Sequence, residues 1–284
     1  MKYTIALSQI DSVIGDAAAN LRNHVTAVEK ALQGGANLVV FPELSLSGYS
    51  LKDSNWDVAV RASDPKPFGK MLALSNDISI LIGCVEESEE YGMYNSAFLL
   101  EKGIVTSVHR KMYPPTYGMF EELRYFSPGK RIRAFDSVVG RVGVLICEDV
   151  WHISLPYLLA HDGAKVIIGM AASPTRLSGN NARIQNAQVN TEQHKSYARL
   201  LSSYVVFCNR VGYEDGVNFW GGSEVIGPHG DIMVQAKLFD SDLVFAEIDE
   251  NEIRRARRLS RHFLDEDMLL LQSELQRIIR QRHQ

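Results

Sequence analysis

The chain has 284 residues, with 30 basic against 34 acidic side chains for a net charge of −4, and 45% apolar content. At roughly 100–200 residues per domain this is one large domain or two small ones, with a sizeable core. The balance argues against disorder, collagen-like repeats and coiled coils, and a net-negative chain offers no electrostatic case for binding nucleic acid.

The first sixteen residues, MKYTIALSQIDSVIGD, carry an apolar stretch interrupted by Ser8 and Gln9 with no small-residue cleavage site, so residues 3–9 read as a strand and not a signal peptide. Leu21, Val25, Val28 and Leu32 then recur at helical spacing, and Gly34-Gly35 is a stop signal. Short apolar runs follow at 37–41, 78–85, 97–100, 106–111, 142–147, 166–171 and 205–209, with helix-like stretches at 66–76, 154–162 and about 181–201. The turn at 228–231 separates 223–226 from 232–235 as a β-hairpin, and 243–248 supplies another strand. From about 251 to 282 the pattern predicts a long helical extension. Its arginines, Arg254, Arg255, Arg257, Arg258 and Arg261, precede Asp265, Glu266 and Asp267, which favours a solvated face or subunit contact over nucleic-acid binding. Without a linker rich in Gly, Pro or Ser, residues 1–284 read as one continuous α/β domain. No apolar run reaches about eighteen residues, so no membrane partner is expected, and a cytoplasmic location is.

Cys84, Cys147 and Cys208 lie far apart, which argues against disulfides or structural zinc and for a reducing compartment. Three segments place reactive side chains where core strands end: Phe41-Pro42-Glu43-Leu44, His109-Arg110-Lys111-Met112 and Leu145-Ile146-Cys147-Glu148-Asp149. A carboxylate, an ammonium and a thiol together suit acyl transfer. The carboxylate takes the thiol proton, sulfur attacks a carbonyl or nitrile carbon, and the cation balances the developing oxyanion. The alternative cysteine chemistry pairs Cys147 with His152, but no supporting motif surrounds either, and His152 reads as a turn residue. Cys84 and Cys208, inside apolar strands, read as core residues. No metal-ligand spacing or phosphate loop occurs, so neither metal nor cofactor is expected.

These motifs, in this order, resemble the nitrilase superfamily of carbon–nitrogen hydrolases, and the likeness runs from Ala6-Leu7-Ser8-Gln9 to Gly221-Gly222-Ser223-Glu224-Val225-Ile226-Gly227-Pro228. The resemblance implies a four-layer α-β-β-α sandwich with Glu43 as general base, Lys111 as oxyanion-stabilising cation and Cys147 as nucleophile. It also implies a second glutamate, which the spacing within Phe120-Glu121-Glu122-Leu123-Arg124-Tyr125-Phe126 assigns to Glu122, leaving Glu121 a solvated neighbour. A thiol of pKa near 8.5 needs help to react, and Glu43 and Lys111 are expected to raise its reactive fraction. A lysine beside two carboxylates should stay protonated. The backbone N–H of Glu148 is the expected second oxyanion donor, and Asp149 a brace for the turn that exposes Cys147.

Within the superfamily, Ile146-Cys147-Glu148-Asp149-Val150-Trp151, Tyr117-Gly118-Met119-Phe120 and Ala171-Ala172-Ser173-Pro174 look most like the glutaminase domain of glutamine-dependent NAD synthetases. That likeness places Tyr117, Glu148, Trp151 and Ser173 at the substrate, with Phe219 and Trp220 shaping the acyl pocket or packing beneath the hairpin. Two departures stand out: 284 residues leave no room for an ATP-dependent synthetase domain, and only Arg176 is at hand to replace the glutaminase branch's basic substrate contact. The expected activity is therefore an amidase that converts a small terminal amide to carboxylate and ammonia through a thioester. A nitrilase or N-carbamoyl hydrolase, a stand-alone glutaminase feeding a partner synthetase, and a non-catalytic binding partner are the alternatives. Assembly into a homodimer or larger homo-oligomer is also expected from the resemblance.

Overall fold

Successive side chains of a strand point to opposite faces, and in β1 (Lys2–Gln9) both faces are apolar: Ile5 and Leu7 on one, Ala6 on the other. Strands covered on both sides read as unbroken apolar runs, which is why the central strands were legible as short apolar blocks. The computed structural model describes residues 1–175 and 185–282 and gathers these strands into two six-stranded sheets.

After β1 come α1 (Ala17–Gln33), β2 (Leu38–Val40), α2 (Lys70–Leu74), β3 (Ser79–Glu87), β4 (Met93–Glu101) and β5 (Ile104–Arg110). Then follow α3 (Glu122–Tyr125), β6 (Phe135–Ser137), β7 (Gly140–Ile146), α4 (Ser154–His161), β8 (Val166–Ala171), α5 (Gln185–Leu201) and β9 (Tyr204–Asn209). The hairpin of β10 (Val211–Glu214) and β11 (Val217–Trp220) precedes β12 (Glu224–Ile226), β13 (Ile232–Gln235), β14 (Asp242–Asp249), α6 (Glu250–Leu259) and α7 (Met268–Arg282).

The first sheet has the order β14-β1-β2-β3-β4-β5 and the second β13-β12-β9-β8-β7-β6. Each is built on a parallel triplet, β1-β2-β3 or β7-β8-β9, flanked by antiparallel strands. Val28 and Ala31 of α1, with Phe68 and Met71, cover the outer face of the first sheet. Leu155 and Leu159 of α4, with Tyr197, Ala198 and Leu201 of α5, cover that of the second. Between the sheets, Ile5, Leu7, Leu81, Val144, Ile168, Met170 and Val206 form the central core. The result is the expected α-β-β-α sandwich. Asp16 caps α1 by accepting from Ala19 N, and Gly35 ends it at φ +76°, a left-handed conformation that glycine adopts without a Cβ clash.

Two expectations are corrected. Gly69, at φ +52°, divides the helix read at 66–76 into a 3-10 turn, Lys66–Phe68, and α2. The C-terminal segment is not one helix: it breaks at Ser260, and a 3-10 turn at Arg261–Phe263 separates α6 from α7. The break lets Phe263 stack on His161, with ring centroids 4.6 Å apart, beneath the Arg257 guanidinium, 4.3 Å from its centroid. Helical periodicity alone does not register such a tertiary anchor. Among the described residues no helix is long and apolar enough to cross a membrane.

Candidate active site

The loop after β2 carries Glu43, whose side chain is shut away from solvent. Its Oε1 accepts from Asn95 Nδ2 at 2.8 Å and Lys111 Nζ at 2.7 Å, and its Oε2 accepts from Ala172 N at 2.8 Å. The loop lies directly on β3 at Gly83, where a Cβ would fall 2.4 Å from Pro42 O and 2.5 Å from Leu44 N. Glycine there permits the close approach that sets the carboxylate's position.

Lys111 follows β5 and is buried, at 1% exposure. Its Nζ also donates to Glu122 Oε1 at 2.7 Å. Glu122 opens α3, and the same oxygen accepts from the Tyr49 hydroxyl at 2.5 Å, while its buried Oε2 has no hydrogen-bond partner among the described residues. Glu121 is exposed. Burial disfavours the Lys111 ammonium, but Glu122 and Glu43 outweigh it and hold its pKa well above the ordinary lysine range. Burial pushes the Glu122 carboxyl up to about 7; Lys111 opposes this shift and Glu43 adds to it.

Cys147 stands where β7 ends, at φ +49°, as the first residue of a 3-10 turn, Cys147–Trp151. A non-glycine residue in the left-handed region is strained, as at the strand-to-helix elbows that present nucleophiles. The fully buried Asp149 carboxylate organises this elbow. It accepts from Ile146 N at 3.2 Å on one side and from Met112 N and Tyr113 N at 3.0 and 2.9 Å on the other, tying the turn of Cys147 to the segment after Lys111. The thiol is pushed up first by burial and then by Glu43, with Lys111 alone among its main neighbours drawing it down. The two neighbours act with opposite signs, as a carboxylate and an ammonium beside a thiol must: Glu43 disfavours the thiolate and Lys111 favours it.

The structure brings Glu43, Lys111 and Glu122 into one buried cluster, with the half-buried Cys147 beside it. Around it, Tyr117 donates to Glu148 Oε2 at 2.8 Å, and Ser173 Oγ accepts from Trp220 Nε1 at 3.1 Å while Ser173 N donates to Asn209 Oδ1 at 2.8 Å. Trp151 is 48% exposed at the far end of the 3-10 turn, away from the cluster's hydrogen bonds. His152 stacks on Tyr113 with centroids 3.5 Å apart and lies 3.9 Å from Glu148 Oε1. Cys84 and Cys208 are wholly buried, and burial pushes both thiols up. Arg176 lies outside the described residues. No group of metal-binding side chains occurs among the described residues.

Sequence reading missed Tyr49 and Asn95. Asn95 shares β4 with two other buried polar residues, Ser96 and Glu101, so nothing local singles it out, and nothing local marks Tyr49. Its position is set from afar: Glu214 Oε1 accepts from Tyr49 N at 2.9 Å, Arg210 Nη1 donates to Glu214 Oε2 at 2.6 Å, and Phe219 meets the Tyr49 ring edge-on. Phe219 and Trp220 are both buried, with Trp220 stacked on Phe207. A hollow of about 600 Å³ is lined in part by Glu86, Tyr94 and Arg110; Arg110 donates to Glu86 at 2.9 and 2.6 Å and lies 3.9 Å from the Tyr94 ring centroid.

The chain is similar to known proteins along most of its length. The profile of the family described as carbon-nitrogen hydrolase matches residues 4–258. A glutamine-dependent NAD(+) synthetase of Acinetobacter baylyi is 32% identical over 252 residues, covering 89% of this chain and 45% of that protein. The glutamine-dependent NAD+ synthetase structure from Acinetobacter baumannii, in complex with ADP, superimposes with a TM-score of 0.79 at 30% identity, over 89% of this chain and 47% of that one. The chain thus spans about half the length of these relatives. A carbon-nitrogen hydrolase structure from Helicobacter pylori G27 shares the fold end to end, with a TM-score of 0.86 at 24% identity over 97% of this chain and 99% of that one.

Proposed function

The chain belongs to the carbon–nitrogen hydrolase family, and from that premise we propose that it hydrolyses the terminal amide of a small molecule through a thioester on Cys147. The observation that carries this reading is the Lys111 ammonium held at 2.7 Å by both Glu43 and Glu122 beside a thiol on a strained elbow.

Glu43 takes the Cys147 proton as sulfur attacks the amide carbon. The oxyanion forms against the Lys111 ammonium and the backbone N–H of Glu148, a kind of contact worth about 3–4 kcal/mol in the barrier. Collapse breaks the C–N bond, and the proton held by Glu43 leaves with nitrogen as ammonia. Glu43 then deprotonates a water that attacks the thioester, and the proton returns to sulfur as the carboxylate product leaves. Because Glu43 carries the proton at each step, the raised thiol pKa is no obstacle. The unpaired Glu122 Oε2 is suited to accept from the substrate's amide N–H. Tyr117, Glu148 and Ser173 supply polar contacts for the rest of the molecule.

A second reading takes glutamine as the amide and passes ammonia to a separate synthetase; the names of the relatives favour it. Incubating wild type and Cys147→Ala with panels of amides, nitriles and ureido compounds, with ammonia release and intact-protein mass recorded, tests both. The expected result is amide turnover with an acyl adduct on Cys147 and loss of about 10⁴-fold or more in the variant. Amide turnover by Cys147→Ala at the wild-type rate refutes the thioester route. Nitrile or ureido turnover without amide turnover reassigns the substrate, and glutamine turnover that rises with an ATP-dependent partner selects the second reading.

A further inference from the structure

β5 is the edge strand of the first sheet, and along it only His109 is buried. An apolar side chain would fill that place without the cost of stripping water from a polar ring, so a histidine there calls for a polar partner. It has one in Asp149. His109 Nε2 lies 3.4 Å from Asp149 Oδ2, with both side chains almost wholly closed to solvent. That oxygen also accepts from Ile146 N at 3.2 Å and from Met112 N at 3.3 Å, so it is an acceptor, and the imidazole N–H at Nε2 donates to it.

Two side chains of one strand end thus reach the two halves of the site. Residues two apart on a strand face the same way, and Lys111 N continues the ladder beyond β5 by donating to Asn95 O at 2.9 Å. From that stretch Lys111 pairs with Glu43 and Glu122, while His109 holds the carboxylate that organises the turn of Cys147. Cys147 sits at φ +49°, a conformation that persists only where its surroundings over-determine it. Glu43 is close enough to hydrogen-bond with the Cys147 thiol, and a displacement of about 1 Å between reacting groups can cost about 10²-fold in rate. What steadies the elbow therefore steadies the thiol against its base.

We propose that His109 is a positioning residue for Cys147: its N–H fixes Asp149, and through it the strained elbow, to the strand end that carries Lys111. The inference rests on the hydrolytic reading for the role of Cys147, but its test needs no substrate. Glutamine and methionine are similar in length and differ in the N–H donor, so His109→Gln can keep the contact and His109→Met removes it. Alkylation of Cys147 by iodoacetamide in the full chain, followed by intact-protein mass and peptide mapping, reads the thiol directly. The expected result is a rate about tenfold or more lower in His109→Met and largely restored in His109→Gln, with kcat falling in parallel on any amide that the wild type hydrolyses and KM unchanged. Equal rates in the two variants, whether fast or slow, overturn the proposal. If His109→Met does not fold, His109→Leu takes its place; should neither fold, the ring supports the whole fold and not the elbow, which overturns it too. Alkylation that depends on the donor at position 109 without turnover of any amide keeps this inference and removes the hydrolytic reading. Amide turnover with alkylation indifferent to that donor does the reverse.

Discussion

The floor of the site and the α7 helix invert the usual rule of the protein surface in opposite directions. Glu43, Lys111 and Glu122 are charged or ionisable and almost wholly buried, while the stripe of α7 is apolar and exposed. Burying a charge is costly unless it is paired, and exposing a stripe is costly unless something covers it. The first inversion is resolved inside the chain, by pairing Lys111 with both Glu43 and Glu122. Nothing among the described residues covers the second.

Breaking the internal pairing has the largest effect. Lys111→Met leaves two carboxyl groups buried without their cation, and is expected to cost about 3–5 kcal/mol of stability together with about 10²–10³-fold in turnover. Urea unfolding and ammonia release measure the two separately; turnover lost at unchanged stability would show that the cluster does not hold the fold together there. Leu275→Asp serves as the opposite control, since altering an exposed side chain leaves core stability within about 0.5 kcal/mol.

Sharper is the pH dependence. The Glu122 pKa is raised to about 7, so its carboxyl is neutral below that value and gains its charge above it. If hydrolysis needs the ionised form, kcat/KM falls about tenfold per pH unit as pH drops below 7 and is level above it, because Lys111 keeps its proton well beyond that range. Glu122→Gln removes this acid limb and lowers the plateau. A limb unmoved by the substitution assigns the titration to another group.

The smallest effect is expected at Tyr49. Its hydroxyl bond to Glu122 lowers that carboxyl's pKa, so Tyr49→Phe moves the acid limb to higher pH. The lost bond is worth about 0.5–1.5 kcal/mol, up to about tenfold in rate. A rate profile identical to wild type would remove Tyr49 from the positioning of Glu122.

Legibility followed locality. The triplets β1-β2-β3 and β7-β8-β9 were readable because strands buried on both faces leave continuous apolar runs, and Glu43 and Cys147 because each ends such a run, whereas Lys111 follows the half-exposed edge strand β5. Glu122 was reached through a resemblance and its spacing, not through periodicity. The hairpin of β10 and β11 was not read: each strand has four residues, too few to establish an alternation. Nor was Tyr49, whose place depends on Glu214, 165 positions away in the chain.

By itself the amino-acid sequence determined an α/β domain and the candidate reactive groups, because strand burial and strand-end chemistry are written in adjacent residues, while the sandwich class came through its likeness to a known family. Tertiary structure alone decided that these groups share one cluster, that Asp149 ties the nucleophile's elbow to the lysine's strand end, that the Cys147 thiol is raised and not lowered, and that α7 stands apart from α6. Those outcomes depend on distance and on exclusion of water, and both arise only when the two sheets close on each other.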